Sequence, residues 1–222
     1  MNTRLVRRLI LKDLYLSRIP LALVVTIGIA AVGLIFLRNE VSGFVGLTSA
    51  FIALIMLGNI LPMHTIINER KRQTLAFVMS LPISSAEFTA AKIIANIGIF
   101  FVVWAAVAGS LVAIFVGTPY GGFVPFIFMA SLAPFAAFCV LVAVALVGES
   151  EVGAMVTMIV TNVSYSFIWF FLVRMPDIRA ALGSAVPVWP MPLVTILAIE
   201  ISLIVISIGA AFYFQSRKTN FV

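Results

Sequence analysis

Residues 67–87 read INERKRQTLAFVMSLPISSAE, and this stretch interrupts an otherwise apolar chain. Four consecutive charges, Glu69, Arg70, Lys71 and Arg72, stand between long hydrophobic runs. From Glu69 to Leu81 the pattern predicts a short amphipathic helix. Leu75, Val78 and Leu81 recur every third residue and form an apolar side with Phe77. Arg70, Lys71, Gln73 and Thr74 form a wet side near its start. Pro82 stops the helix, because it has no N–H to continue the ladder. Ser84-Ser85-Ala86-Glu87 then gives Ser-x-x-Glu, a capping box that launches the next helix. Two readings of the stretch stand: a basic loop that only sets topology, or a rigid knob that another protein grips. The proline and the capping box favour the knob, because a topogenic loop needs no defined shape.

The runs on either side set the class. Of 222 residues, 63% are hydrophobic and 10% charged, and the mean hydropathy is +1.22. A soluble domain carries about 25% charged and roughly 45–50% apolar residues. The composition therefore predicts an all-α polytopic membrane protein built as one membrane domain. Residues 1–18 form a basic amphipathic helix, with Leu5, Val6, Leu9, Ile10 and Leu14 on one face and Arg4, Arg8 and Lys12 on the other. That pattern suits the interface of anionic membrane lipids. The apolar run that follows is too long for a signal-peptide core. Six transmembrane helices are predicted at 19–37, 44–67, 88–116, 123–147, 152–173 and 191–214, and residues 215–222 form a tail. The link between spans five and six carries a short helix near Asp177 to Ser184. Trp189 and the prolines at 187, 190 and 192 suit a re-entrant outer insert there. Gly109, Ala113 and Gly117 have a spacing that permits close helix packing.

Charge sets the orientation. With both termini cytoplasmic, eleven of the fourteen Lys and Arg residues fall inside and three outside, namely Arg38, Arg174 and Arg179. The bias follows the positive-inside rule and places residues 68–87 in the cytoplasm. It also accounts for the net charge of +6 without nucleic acid. The single cysteine, Cys139, lies in an apolar run and reads as a small hydrophobe.

Nucleotide and metal chemistry lack their motifs. Gly28 and Gly33 have the spacing of a phosphate-binding loop, but Leu34 stands where lysine is needed. His64 is the only histidine, and no Cys/His cluster or nucleophile elbow occurs.

The segment NERKRQTLAFVMSLPISSAEFTAAKIIA resembles the signature of the membrane (permease) subunits of ABC-2-type ABC exporters. The matching residues are Glu69, Arg70, Lys71, Thr74, Leu75, Ser80, Leu81, Pro82, Ser84 and Lys92. Gln73 departs from the glycine often found before the threonine. The resemblance covers nearly the whole chain in layout, and residues 67–96 in motif. It implies a non-enzymatic permease half in a prokaryotic cytoplasmic membrane. A second copy or homologue would pair with it. A separate ABC ATPase subunit would carry ATP and Mg, with no cofactor in this chain. Residues 67–87 would be the cytoplasmic coupling helix between spans two and three. Glu69, Arg70, Lys71, Arg72 and Thr74 would take part in coupling to the ATPase, with Leu75 and Val78 filling an apolar cleft or packing on the permease.

Polar residues inside the spans form the other candidates. Glu200 lies roughly 15 Å deep in span six, where an ionisable group costs at least about 2.5–3.5 kcal/mol and needs a partner, a proton or a wet cavity. Asn162 lies at similar depth in span five and can bond Glu200 if the two spans are neighbours. Asn59 and Asn96 form a second polar layer. All four are candidates for a translocation path, with helix-to-helix bonding as the plainer role. Pro125 and Pro134 are expected to bend span four, with neighbouring helices meeting the freed carbonyls. A stand-alone proton-coupled transporter using Glu200 is the alternative function. It wants paired acids or inverted repeats, which the sequence lacks. An intramembrane enzyme wants a second catalytic side chain beside Glu200.

Overall fold

The computed structural model describes residues 3–37, 39–71, 85–148 and 150–217. Every regular element among them is helical, and six helices are long and apolar enough to cross a membrane. In chain order they are α1 (Thr3–Leu16), α2 (Arg18–Ile35) and α3 (Glu40–Pro62), which runs on through a π-helical turn (Met63–Ile67) into α4 (Asn68–Lys71). Then come α5 (Ser85–Phe115), α6 (Phe123–Gly148), α7 (Glu151–Leu172), α8 (Pro176–Leu182) and α9 (Met191–Ser216). Each predicted span coincides with one long helix, and, with α3 taken together with its π-helical turn, no end differs by more than four residues. The amphipathic helix predicted over 69–81, its stop at Pro82 and the Ser84 cap lie outside the described residues, apart from Glu69, Arg70 and Lys71 in α4.

Local chemistry sets the helix starts. Asn39 adopts extended backbone and its side chain accepts the Ser42 N–H at 2.7 Å, capping α3. Ser150 does the same for α7 through the Gly153 N–H at 3.1 Å. The Gly109–Ala113–Gly117 spacing does not make a packing seam. Gly109 faces open space, and Gly117 sits at φ 75° in the turn after α5, where a side chain would be strained.

The apolar long axis of the bundle is α6. Two thirds of its span window (67%) is buried, against 6% for α7 and 17% for α9. Helices α3, α5, α7 and α9 all pack on it. Phe100 of α5 stacks on Phe138 and Phe135 of α6 at 4.5 and 5.3 Å, with Leu54, Leu57 and Leu61 of α3 buried in the same core. Helices α2 and α3 form a separate close pair. A Cβ at Gly46 would lie 2.6 Å from the Ala31 carbonyl oxygen, so the two backbones touch only because that residue is glycine.

The two ends of the bundle differ. At one end α8 caps the bundle: Ile178 is fully buried with Phe126, Met129, Leu172 and Leu193, and the Gly122 N–H donates to the Ser184 carbonyl at 2.9 Å. At the other end α1 lies against α5, and the chain passes from α4 through residues 72–84 back into α5. This second end is called the insert end below.

Two sequence expectations about proline resolve differently. Pro125 lies in the first turn of α6, where the missing N–H has no helical partner to lose, so it does not interrupt the helix. Pro134 is internal, and the carbonyl it frees four residues back, that of Ala130, accepts the Tyr165 hydroxyl of α7 at 3.3 Å. The next carbonyl, of Ser131, accepts the Trp104 indole N–H of α5 at 2.7 Å. Tyr165 thus supplies the donor that the proline lacks, and Trp104 ties α5 to the adjoining carbonyl.

Candidate functional site

The site begins with a stripe on α1. Val6, Leu9, Asp13 and Ser17 follow one another at intervals of three and four residues, and all four are buried. Val6 and Leu9 pack on Phe88 and Ala91 of α5, which brings the two helices close enough for the stripe's next member, Asp13, to meet α5 one turn further along. Leu14, assigned to the apolar face by sequence, is instead exposed, because the inward face of α1 runs through Asp13.

The second wall is the end of α3. Pro62 is followed at once by the π-helical turn, in which the Asn68 N–H reaches back five residues to the Met63 carbonyl. The wider turn buries Thr65, Ile66 and Ile67 and carries Glu69 inward. The Thr65 hydroxyl lies 2.8 Å from the Leu61 carbonyl and 2.9 Å from Asn96 Oδ1. The Asn96 amide in turn donates to the Lys92 carbonyl at 2.9 Å.

Lys92 of α5 occupies the centre, with 1% of its surface exposed. Its ammonium lies 2.9 and 3.0 Å from the two Asp13 oxygens, 2.8 Å from Glu69 Oε2 and 2.7 Å from the Thr65 carbonyl. The three N–H groups of the ammonium donate to the two Asp13 oxygens and the Thr65 carbonyl, and its charge is paired besides with Glu69, so that α1, the π turn and α4 all meet at it. Lys12, half exposed, pairs with the other Glu69 oxygen. Among the described residues the cluster pairs two acids with two bases. Burial pushes the Asp13 carboxyl up from its ordinary value, while the Lys92 ammonium beside it pulls the other way.

Chemically this is a brace. No group of His, Cys, Asp and Glu suited to a metal occurs among the described residues. Its arrangement ties α1, the π turn and α5 into one unit at the root of residues 72–84. A buried, fully partnered ammonium resists separation, because parting any one partner leaves a charge out of water.

The sequence candidates divide accordingly. Glu69 is in the brace, facing the bundle. Arg70 and Lys71 continue α4, and Arg72, Thr74, Leu75 and Val78 lie outside the described residues. Asn96 is in the brace through Thr65 and Lys92, so the predicted layer with Asn59 does not form; Asn59 is half-buried on α3. The predicted Asn162–Glu200 bond does not form either. Helix α6 packs on both α7 and α9, and those two barely meet. Glu200 is buried with Oε2 unpartnered among the described residues, and Asn162 is half-buried. Sequence reasoning missed Asp13, Thr65 and Tyr165.

No family model, curated protein or solved structure matches the chain.

Proposed function

We propose that the chain is the permease half of an ATP-driven exporter, working with a separate ATPase that grips residues 69–81. The supporting observation is the Lys92 brace. A pull on the insert reaches α4 first, and α4 is ion-paired through Glu69 to Lys92. Lys92 is ion-paired to α1 through Asp13 and hydrogen-bonded to the Thr65 carbonyl of the π turn. A force applied to the insert is therefore delivered to α1, α3 and α5 together. A loop that only set topology would need no such anchorage, because the cost of burying the charges of Asp13, Glu69 and Lys92 would go unused. The segment's resemblance to the ABC-2 permease signature supports the same reading, as does the absence of a phosphate-binding motif in this chain.

On this reading the insert end faces the cytoplasm of a prokaryotic cell, α1 lies along the inner lipid surface, and the re-entrant link containing α8 closes the outer end. A second permease copy or homologue completes the path, and ATP and Mg reside on the ATPase. The test is purification of the complex from its native membrane. An ATPase is expected to copurify with the chain. Simultaneous Arg70→Glu, Lys71→Glu and Arg72→Glu is expected to release it. Retention of both the ATPase and transport after those changes would refute the grip.

A further inference from the structure

Helix α1 has two apolar faces, and the fold uses one of them. Val6 and Leu9 are buried on Phe88 and Ala91, and Asp13 and Ser17 continue that inward line. On the other side Leu11, Leu14, Tyr15 and Leu16 are exposed, Tyr15 the most, at 62%. Arg7, Arg8 and Arg18 are exposed among them. Among the described residues this face carries no acid: Asp13 is the only Asp or Glu in residues 1–39, and it is turned inward to Lys92. The brace therefore takes the one negative charge off this surface and leaves it cationic. The face does not stop where α1 does. Only Ser17 separates α1 from α2, and the Leu21 N–H donates to the Ser17 carbonyl at 2.9 Å, as the Ser17 N–H does to the Asp13 carbonyl at 3.0 Å. Helical spacing thus carries the exposed line from Leu11 and Tyr15 on to Ile19 and Leu23 of the first span, which are 66% and 62% exposed.

The junction holds a cation in place. The Arg18 guanidinium lies 4.0 Å from the centroid of the Tyr15 ring. Stacking uses the flat of the guanidinium, so its N–H edge remains for the oxygens of a phosphate. We propose that the outward face of α1 and the start of α2 form a binding site for anionic phospholipid. Acyl chains lie along Ile19 and Leu23, the headgroup phosphate meets Arg18, and Arg7 and Arg8 serve further headgroups along α1. A molecule with a charged and an aliphatic part fits a surface that passes from arginines to bare aliphatic side chains within a turn or two of helix. A second copy of the chain does not fit, because a two-fold contact would set these arginines against themselves. Val6, Leu9 and Ile10, which the sequence pattern turns to lipid, pack on α5 instead, so the lipid surface is the opposite one. The site rests on the proposed placement of α1 against the lipid surface, and it needs no ATPase.

The test is native mass spectrometry of the full-length chain in detergent, without ATPase, titrated with phosphatidylglycerol or phosphatidylcholine. Phosphatidylglycerol is expected to bind several-fold more tightly. Arg18→Gln is expected to weaken it about fivefold, the worth of one basic residue near an anionic surface, and to leave phosphatidylcholine unchanged. Arg18→Lys keeps the charge but not the stacked fork, and is expected to fall between. The control is Arg174→Gln. Arg174 lies 3.6 Å over the Phe170 ring at the α8 end of the bundle, and its loss is expected to change nothing. Equal binding of the two lipids would leave the face to a protein partner. Equal losses in Arg18→Gln and Arg174→Gln would mean diffuse charge, and displacement of phosphatidylglycerol by inorganic phosphate would mean a free-anion site. Each of these results overturns the proposal. A failed lipid titration beside a copurifying ATPase would remove the lipid site and leave the exporter reading standing.

Discussion

Lys92 on α5 holds Asp13 on α1 by both carboxylate oxygens, at 2.9 and 3.0 Å, with 1% of each side chain exposed. The two residues are 79 apart in sequence, so the pair fixes an early helix against the third span. Its worth is better judged by what its loss leaves behind than by its attraction, because desolvation offsets most of that attraction. Lys92→Met leaves the buried Asp13 carboxylate without its hydrogen-bonded ammonium and is expected to cost about 3–5 kcal/mol. Asp13→Leu alone is expected to cost nearly as much. The double variant Asp13→Leu with Lys92→Met leaves Glu69 still paired with Lys12, and is expected to be more stable than the Lys92 single variant. Thermal unfolding of the three in detergent checks the order; a double variant that loses the full sum would show that the residues do not act as a pair.

Pro134 and Tyr165 are expected to be coupled in the same way. In the wild type, Tyr165→Phe removes the donor that meets the Ala130 carbonyl, at a cost of about 0.6 kcal/mol or somewhat more. Pro134→Ala restores a backbone N–H to that carbonyl. In the Pro134→Ala background, Tyr165→Phe is therefore expected to be close to neutral. Unfolding midpoints of the four chains form the cycle, and equal effects of Tyr165→Phe in both backgrounds would count against the assignment.

Gly46 gives a sharper steric prediction. A methyl group there would meet the Ala31 carbonyl at 2.6 Å, and Ile35 Cγ1 at 2.7 Å. Backbone cannot swing aside as a side-chain tip can, so Gly46→Ala is expected to cost about 1–3 kcal/mol. Gly43→Ala, three residues earlier with nothing within 4 Å, is expected to be neutral or slightly stabilising. Reduced expression or midpoint for Gly46→Ala alone is the result that checks it.

The long helices were legible because an apolar run of membrane length has few other solutions, whereas the caps at Asn39 and Ser150 were not read. The brace was harder to see. Asp13 follows Lys12 on a basic amphipathic helix and reads as part of its wet face. Only the spacing of Val6, Leu9, Asp13 and Ser17 marks it as inward. Lys92 was visible as a motif residue and a topology charge, but nothing in its neighbours discloses that it is fully enclosed. Depth was readable for Glu200 and Asn162, whereas lateral adjacency was not, since the rise per residue says nothing about which helix lies beside which. The freed carbonyl at Pro134 was expected to find a donor; that Tyr165 supplies it depends on how α7 packs on α6.

If residues 69–81 are the handle of an exporter, the brace has a role separable from stability. The Asp13→Leu, Lys92→Met double variant keeps the surface of the insert, so the ATPase is expected to remain bound and to hydrolyse ATP. What it lacks is the connection from α4 and α1 to α5, which runs through the Lys92 ammonium, while the Lys12–Glu69 pair still joins α4 to α1. Transport is expected to fall about tenfold or more while ATP turnover changes less than twofold, taking about 1.4 kcal/mol as the coupling carried by the cluster. Glu69→Gln, which removes one charge but keeps the packing, is expected to lie between the double variant and the wild type. Parallel measurement of ATP hydrolysis and cargo movement in proteoliposomes separates the outcomes. Equal loss of both activities would mean that the cluster only holds the fold, and unchanged transport would mean that force reaches the spans by another route.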